Sequence, residues 1–388
     1  MVLSTLFTQM EESKRTEESA TVLVKRVTCC LLVVLVCACS LVHAQSQTPK
    51  IAKIKLEDYG WQAVSARTDS FEHKILSNLW LDHQGRVLVG FTVRENYELA
   101  TRERPGHSLH ILRFTADGKQ DLSLTLPTNN WYSNGFYLGP DDGIFALAND
   151  TFQWLSAGEN GQNAAWQTLA RCPAGQCYVN QSFSRRTLIV RVGGRADRST
   201  YTIVDASSSP PRATKTCSQM ASMQITDKFS YRTNYDRDDD LTVRYSFCEV
   251  DHYEDFPMWG RGGGHVLNDV TLLKVAPTGA KLLGPEGQVK FSKQMAKHDY
   301  IDYFHIATDE HFDRFVFSVY TVRGEHPSLD IGGQVRARRF LVIDQSGDQV
   351  ASIPIDTGYH LNSSLAMSPD GHRLAILDQG VVTVVDLK

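Results

Sequence analysis

Two kinds of tight turn recur along this chain, and their unequal numbers constrain its fold more than any other feature. Short runs rich in Val, Ile, Leu, Phe and Tyr alternate with Gly, Asp, Asn and Pro clusters. After residue 45 no apolar stripe of period 3.6 runs beyond a turn or two, so the chain reads as all-β. One kind of turn divides the first and second strands of a unit: DHQGR (82–86), GPDDG (139–143), SFSRR (182–186), NYDRDDD (234–240), TDEHFD (308–313) and SPDGH (368–372). The other follows a third strand: TADGK (115–119), SAGENG (156–161), DASSSP (205–210), APTGA (276–280) and DQSGD (344–348). Six against five leaves the last unit one strand short. KIAKIKLE (50–57) alternates apolar and charged residues as an edge strand does, and it supplies the missing member.

Units of four strands repeated around an axis describe a β-propeller, in which closure removes most exposed sheet edge. The expected fold is therefore an all-β, six-bladed β-propeller closed by an N-terminal strand in the C-terminal blade. Its units begin near residues 73, 131, 178, 220, 299 and 360. A β-sandwich or two smaller β domains would need a break in this rhythm, and no Pro- or Gly-rich linker divides the chain. The closing stretch, SPDGHRLAIL followed by VVTVVDL, resembles the repeats of YVTN-type and TolB-like propellers. That resemblance covers about 25 residues closely, and it implies a fold and an envelope or extracellular setting. It brings no catalytic residue with it.

The N-terminus carries an address. Lys25 and Arg26 precede the apolar run VTCCLLVVLVCACSLV (27–42), and Ala44 stands where a signal peptidase cuts. The run is short for a span of roughly 20 residues, so residues 1–44 read as a secretory signal and 45–388 as one propeller domain. On this reading the mature chain has no integral membrane span and is exported, periplasmic or extracellular. A lipid anchor at Cys39 is the minority alternative, from the loose lipobox VCAC (36–39). Four cysteines remain, Cys172, Cys177, Cys217 and Cys248, and an even set in an exported protein suggests disulfides. Of the three pairings, Cys172 with Cys177 and Cys217 with Cys248 is favoured. A zinc reading lacks a second short Cys or His pair, and no metal is assigned. The formal charge of −4 argues against a nucleic-acid partner.

Binding sites of propellers sit where the blade-to-blade loops and the loops between second and third strands gather. Long insertions are expected at 95–107, 251–267 and 324–337, after the similar endings FTVREN, LTVRYSFCEV and YTVRGE. Candidate ligand-binding residues on that face are Arg94, Arg104, His107, Trp131, Tyr132, Arg261, His265, His298, Asp302, His305, Arg323 and His360. Arg offers a planar fork of donors for anionic or sugar-like groups, and Trp131 a flat stacking face. In HDYIDYFH (298–305 within 297–305), an extended strand would put 299, 301, 303 and 305 on one face and 298, 300 and 302 on the other. Asp236, Asp238 and Asp240 alternate as in a calcium loop, but Leu241 and Phe247 stand where Gly and Glu belong, and this turn is expected on the opposite face. WGRGGGH (259–265) is no phosphate loop, and GHSLH (106–110) fails as Gly-x-Ser-x-Gly. The expected function is a binding or scaffold module for a small-molecule or protein ligand. The alternative is a hydrolase or lyase acting on a carbohydrate or lactone-like substrate at the same face. No cofactor is indicated.

Overall fold

The computed structural model describes residues 51–61, 75–94, 107–128, 135–148, 150–157, 165–172, 177–193, 199–218, 224–228, 230–235, 241–246, 251–256, 263–267, 271–284, 288–323, 335–355, 364–378 and 380–387. Residues 51, 75–77, 93–94, 107, 128, 230–235, 241–246, 251–256, 263–264 and 303–305 are described in backbone alone. The described part is all-β, apart from a 3-10 turn at Leu56–Tyr59.

The strands form seven four-stranded antiparallel sheets among the described residues. Sheet 1 holds β2 (Ile75–Leu81), β3 (Val87–Arg94), β4 (His107–Phe114) and β5 (Gln120–Thr128). Sheet 2 holds β6 (Phe136–Leu138), β7 (Ile144–Ala148), β8 (Thr151–Leu155) and β9 (Gln167–Arg171). Sheet 3 holds β10 (Cys177–Gln181), β11 (Thr187–Val192), β12 (Thr200–Asp205) and β13 (Arg212–Cys217). Sheet 4 holds β14 (Gln224–Ile225), β15 (Ser230–Tyr235), β16 (Leu241–Ser246) and β17 (Asp251–Phe256). Sheet 5 holds β18 (Gly263–Val266), β19 (Leu272–Ala276), β20 (Gly279–Leu283) and β21 (Val289–Gln294). Sheet 6 holds β22 (Asp299–Thr308), β23 (Arg314–Val322), β24 (Val335–Asp344) and β25 (Gln349–Ile355). Sheet 7 combines β26 (Ser364–Met367), β27 (Arg373–Asp378) and β28 (Val381–Asp386) with β1 (Ile51–Lys55).

Seven sheets replace the expected six because the unit begun near residue 220 contains two. Residues 251–267, expected as one long loop, hold β17 and β18. Their first turns follow first strands of only two and four residues: sheet 4 turns on Thr226-Asp227-Lys228 after β14, and sheet 5 on a connection closed by Leu267 N–H to the Thr271 carbonyl at 2.9 Å after β18. Two recognised turns also change role. NYDRDDD and APTGA fall between the second and third strands of sheets 4 and 5, and Asp236, Asp238 and Asp240 lie outside the described residues.

The N-terminal strand pairs with the C-terminal one, Ile51 opposite Val385 and Lys55 opposite Val381. The Leu56 N–H then bonds the Gly380 carbonyl at 2.8 Å, and the Trp61 ring lies over Gly380 and leaves no room for a side chain there, at a φ of +77° that also favours glycine. Sheets pack in chain order: β2 against β6, β9 against β13, β10 against β14, β15 against β18, β19 against β22, β22 against β26, and β26 and β27 against β2. Apolar side chains fill the seams, such as Ile54, Leu79, Phe91, Phe114 and Leu377 between sheets 7 and 1, and Phe315, Phe317, Val319 and Leu341 between sheets 5 and 6. Each fully buried side chain of this size contributes about 1.5–3 kcal/mol. This is the layout of a β-propeller.

Five first-to-second-strand turns share one backbone form, which sets the geometry around the axis. Their fourth residue is left-handed: Gly85 (φ 69°), Asp142 (62°), Arg185 (64°), Phe312 (60°) and Gly371 (72°). Where the first residue is Asp or Ser, its side chain takes up the turn's own N–H groups: Asp82 from Gln84 and Arg86, Ser182 from Thr187, Asp309 from Arg314 and Ser368 from Arg373. A bulky residue at positive φ costs of order 1 kcal/mol and persists only where its surroundings fix it. Asp142, Arg185 and Phe312 are therefore the turn residues whose surroundings matter most.

Candidate functional site

The turn SFSRR (182–186) closes the axis at one end of the strands. Together with Gln181 it reaches sheets on every side. Gln181 Nε2 donates to the Leu138 carbonyl of sheet 2 at 2.7 Å. The Ser182 and Ser184 hydroxyls donate to Asp227 of sheet 4 at 2.7 and 2.6 Å. Phe183 meets the His265 ring of sheet 5 edge-on, centroids 5.9 Å apart, and packs on the core shared by sheets 5 and 6. Arg185 donates to the Leu81 carbonyl at the end of β2 (2.8 Å) and the Met367 carbonyl at the end of β26 (3.2 Å), and its guanidinium lies 5.2 Å from the centre of the Trp80 ring. Sheet 3 thus sends one cation across the axis to sheets 1 and 7.

Carboxylates gather around that cation. Arg185 is 5% exposed, and burial pulls its pKa down against the opposing fields of Glu310, Asp142 and Asp82. On the outer side of the cluster, His83 donates from its backbone N–H to Asp142 (3.1 and 3.2 Å) and sets Nδ1 2.8 Å from the same carboxylate. Its Nε2 lies 3.5 Å from Glu310 of sheet 6. Burial opposes the imidazolium, but the hydrogen bond to Asp142 and the charges of Asp142 and Glu310 outweigh it and raise the His83 pKa above 6.5. Three further bonds tie sheet 7 to its neighbours at this end. Arg314 donates to the Gly371 carbonyl (2.8 Å), the Glu310 N–H to the Pro369 carbonyl (3.3 Å), and Arg373 to the Gly85 carbonyl (2.8 Å).

At the opposite end β3 and β23 finish and β4 and β24 begin, and residues 95–106 and 324–334 between them lie outside the described residues. The described side chains at this end include polar networks within single sheets. In sheet 6, Arg339 grips Asp299 through two nitrogens (2.7 and 3.3 Å) and the Thr321 hydroxyl donates to Asp299 at 2.6 Å. Burial works against ionisation of Asp299, yet these bonds hold its carboxyl below the ordinary range. On the other face of the sheet, the Tyr320 hydroxyl donates to Asp302 at 3.3 Å, and the buried Arg338 donates to Ser318 at 3.1 Å between the rings of Tyr320 and Phe340. Burial raises the Tyr320 pKa to about 12. In sheet 3, the exposed Tyr178 stacks under Arg191.

The sequence-derived candidates distribute unevenly over this geometry. Trp131, Tyr132, Arg104, Arg261 and His360 lie outside the described residues. Arg94 and His107 are opposite each other at the ends of β3 and β4, in backbone terms. His265 is on the first strand of sheet 5, not in a long insertion, and its ring meets Phe183 from the closed end. His298 adopts φ +75° just before β22, Asp302 is bonded to Tyr320, and Arg323 is exposed beyond β23. The alternation expected along HDYIDYFH breaks: Asp302 pairs with Ser318 but Ile306 with Phe317, so 303–305, His305 included, form a bulge. Cys172 and Cys177 are joined by a disulfide with Cα atoms 5.4 Å apart. Cys217 is disulfide-bonded as well, while Cys248 lies outside the described residues. Sequence reasoning found the turn 182–186 but not its role, because nothing in SFSRR marks which residue crosses the axis.

No protein family and no curated protein matches this chain. Among solved structures, a chain of the mitotic checkpoint complex is 11% identical, covers 84% of this chain and 99% of that one, and gives a TM-score of 0.44. The β-propeller domain of the trilobed protease from Pyrococcus furiosus is 10% identical, covers 78% and 91%, and gives 0.42. The WD40 domain of SCAP from fission yeast is 8% identical, covers 89% and 96%, and gives 0.39. At this level the likeness assigns no property to this chain.

Replacing Arg185 by Met should strand the carboxylates around it and two carbonyls, costing about 3 kcal/mol and lowering the urea midpoint, while Lys119→Met at an exposed turn leaves it unchanged. An unchanged midpoint for Arg185→Met would deny the cation its bridging role. The raised pKa of His83 means that its contribution to stability is full below pH about 6.5 and fades as pH rises through the higher folded value. The stability difference between wild type and His83→Gln, followed by urea unfolding from pH 5 to 9, should shrink in that direction. A gap that widens with pH contradicts the assignment.

Proposed function

We propose that this chain is an exported β-propeller of seven blades, closed by its N-terminal strand, that binds a ligand or protein partner at the end opposite SFSRR. The observation that carries this reading is the crowding of the turn end: Arg185 bonds carbonyls of sheets 1 and 7 there and Phe183 packs on the core of sheets 5 and 6, which favours the other end for a ligand. Network bonds such as Asp299–Arg339 and Tyr320–Asp302 hold the strands at that other end in a fixed arrangement suited to presenting loops. Export is supported by the disulfide Cys172–Cys177, a bond that persists in oxidising compartments, and by the apolar run 27–42 ahead of Ala44.

The test uses the purified chain as immobilised bait against material from its own compartment. Replacing 324–334 by a short Gly-Ser link should abolish retention of whatever wild type retains specifically, whereas Lys119→Glu at the turn end should not. Equal loss in both, or loss in Lys119→Glu alone, would put the binding surface elsewhere. Mass spectrometry of the same purified chain should give an N-terminus at Gln45, and an intact Met1 would count against export.

A further inference from the structure

One row of side chains at the loop end is built but incomplete. Tyr178, Arg191, Tyr201 and Cys217 stand opposite one another in register across the four strands of sheet 3. The row is pinned at both ends, since Cys177 beside Tyr178 is bonded to Cys172 and Cys217 is itself in a disulfide. Tyr201 is 4% exposed and belongs to the core between sheets 3 and 4. Tyr178, on the innermost strand, is 41% exposed. The neighbouring innermost strand, β14, is only two residues long, and its Ile225 packs with Ile189 and Tyr201.

Arg191 lies between these tyrosines with its guanidinium carbon 4.3 Å from the centre of the Tyr178 ring. Stacking satisfies the flat face of a guanidinium and leaves its N–H donors pointing outward in the plane. One of those donors is unmatched. Nε is buried without a hydrogen-bond partner, and no carboxylate pairs with Arg191 among the described residues. A buried donor on a charged group is costly to leave unsatisfied, and the acceptor that suits this fork is an oxyanion.

We propose that Tyr178 and Arg191 form an anion subsite of the loop-end binding surface, taking a carboxylate or phosphate group of the ligand in the plane of the guanidinium. The proposal deepens the reading of that end as the binding face and rests on it. An acidic side chain of a protein partner and a free small anion share this chemistry.

Calorimetric titration of the full purified chain at low ionic strength separates them, with a hexaglutamate peptide and inorganic phosphate as the two probes. At least one should bind saturably. Arg191→Gln should weaken that binding about tenfold or more, since a hydrogen bond to a charged group is worth about 1.5–3 kcal/mol. Arg191→Lys should restore part of it, and Tyr178→Leu should weaken it less, both variants unfolding at the wild-type temperature. Preference for the peptide identifies an acidic segment as the source, and preference for phosphate a small anion. Failure of both probes to bind, or equal binding by wild type and Arg191→Gln, overturns the subsite. If the bait experiment still localises retention to 324–334 in that case, the binding face stands without it.

Discussion

Everything about the axis follows from the need to satisfy one buried guanidinium. Taking the charge of Arg185 out of water costs several kcal/mol, and only well-placed acceptors offset it. Here the acceptors are the carbonyls of Leu81 and Met367, the last residues of β2 and β26, with Asp142, Glu310 and Asp82 supplying opposing charge nearby. Those strands must end at one level, and the turns after them must bring their carboxylates inward. The left-handed backbone at Arg185 and Asp142 is the local strain that makes this aim achievable. The bridge accordingly does more to specify how sheets 1, 3 and 7 meet than to add net stability.

The two ends of the axis are thereby different in kind. At the turn end, Asp227 receives the hydroxyls of Ser182 and Ser184, His83 joins Asp142 to Glu310, and sheet 7 is tied to sheets 6 and 1 through Arg314 and Arg373. These bonds run from one sheet to another. At the loop end the polar groups are arranged along single sheets, as in Asp299–Arg339–Thr321, and Arg191 keeps a donor in hand.

How much of this was legible in the sequence depended on whether a residue acts locally. The turns GPDDG and SPDGH announce themselves because Gly and Asp suit their φ values, and the alternation of IAKIK marks β1 as an edge strand whose partner is the tail. The pairing of Cys172 with Cys177 follows from their closeness in the chain. The seventh sheet stayed hidden because the strand before Thr226-Asp227-Lys228, β14, is only two residues long and shows no alternation, while the turn holds itself by the Lys228 N–H donating to the Thr226 hydroxyl. The bulge at 303–305 and the crossing of Arg185 were out of reach for another reason: both are decided by partners more than ten residues away, Phe317 in one case and Met367 in the other. Arg191 looked like any strand arginine, since its distinction is an acceptor that the chain does not provide.

Building the last sheet from both ends of the polypeptide orders events in time. Ile51 stands at the start of the described residues and Val385, which it faces, near their end, so one is made long before the other. The remaining sheets are each assembled from neighbours in the chain, so their loops are short and their nucleation local, whereas this pairing must wait for the whole intervening length to be organised. Closure entropy rises only with the logarithm of that length, so the delay is a matter of sequence of assembly more than of energy. A chain halted before its final strand would therefore hold finished sheets alongside one ragged margin, with Ile54 and its apolar neighbours uncovered and ready to pair with another copy.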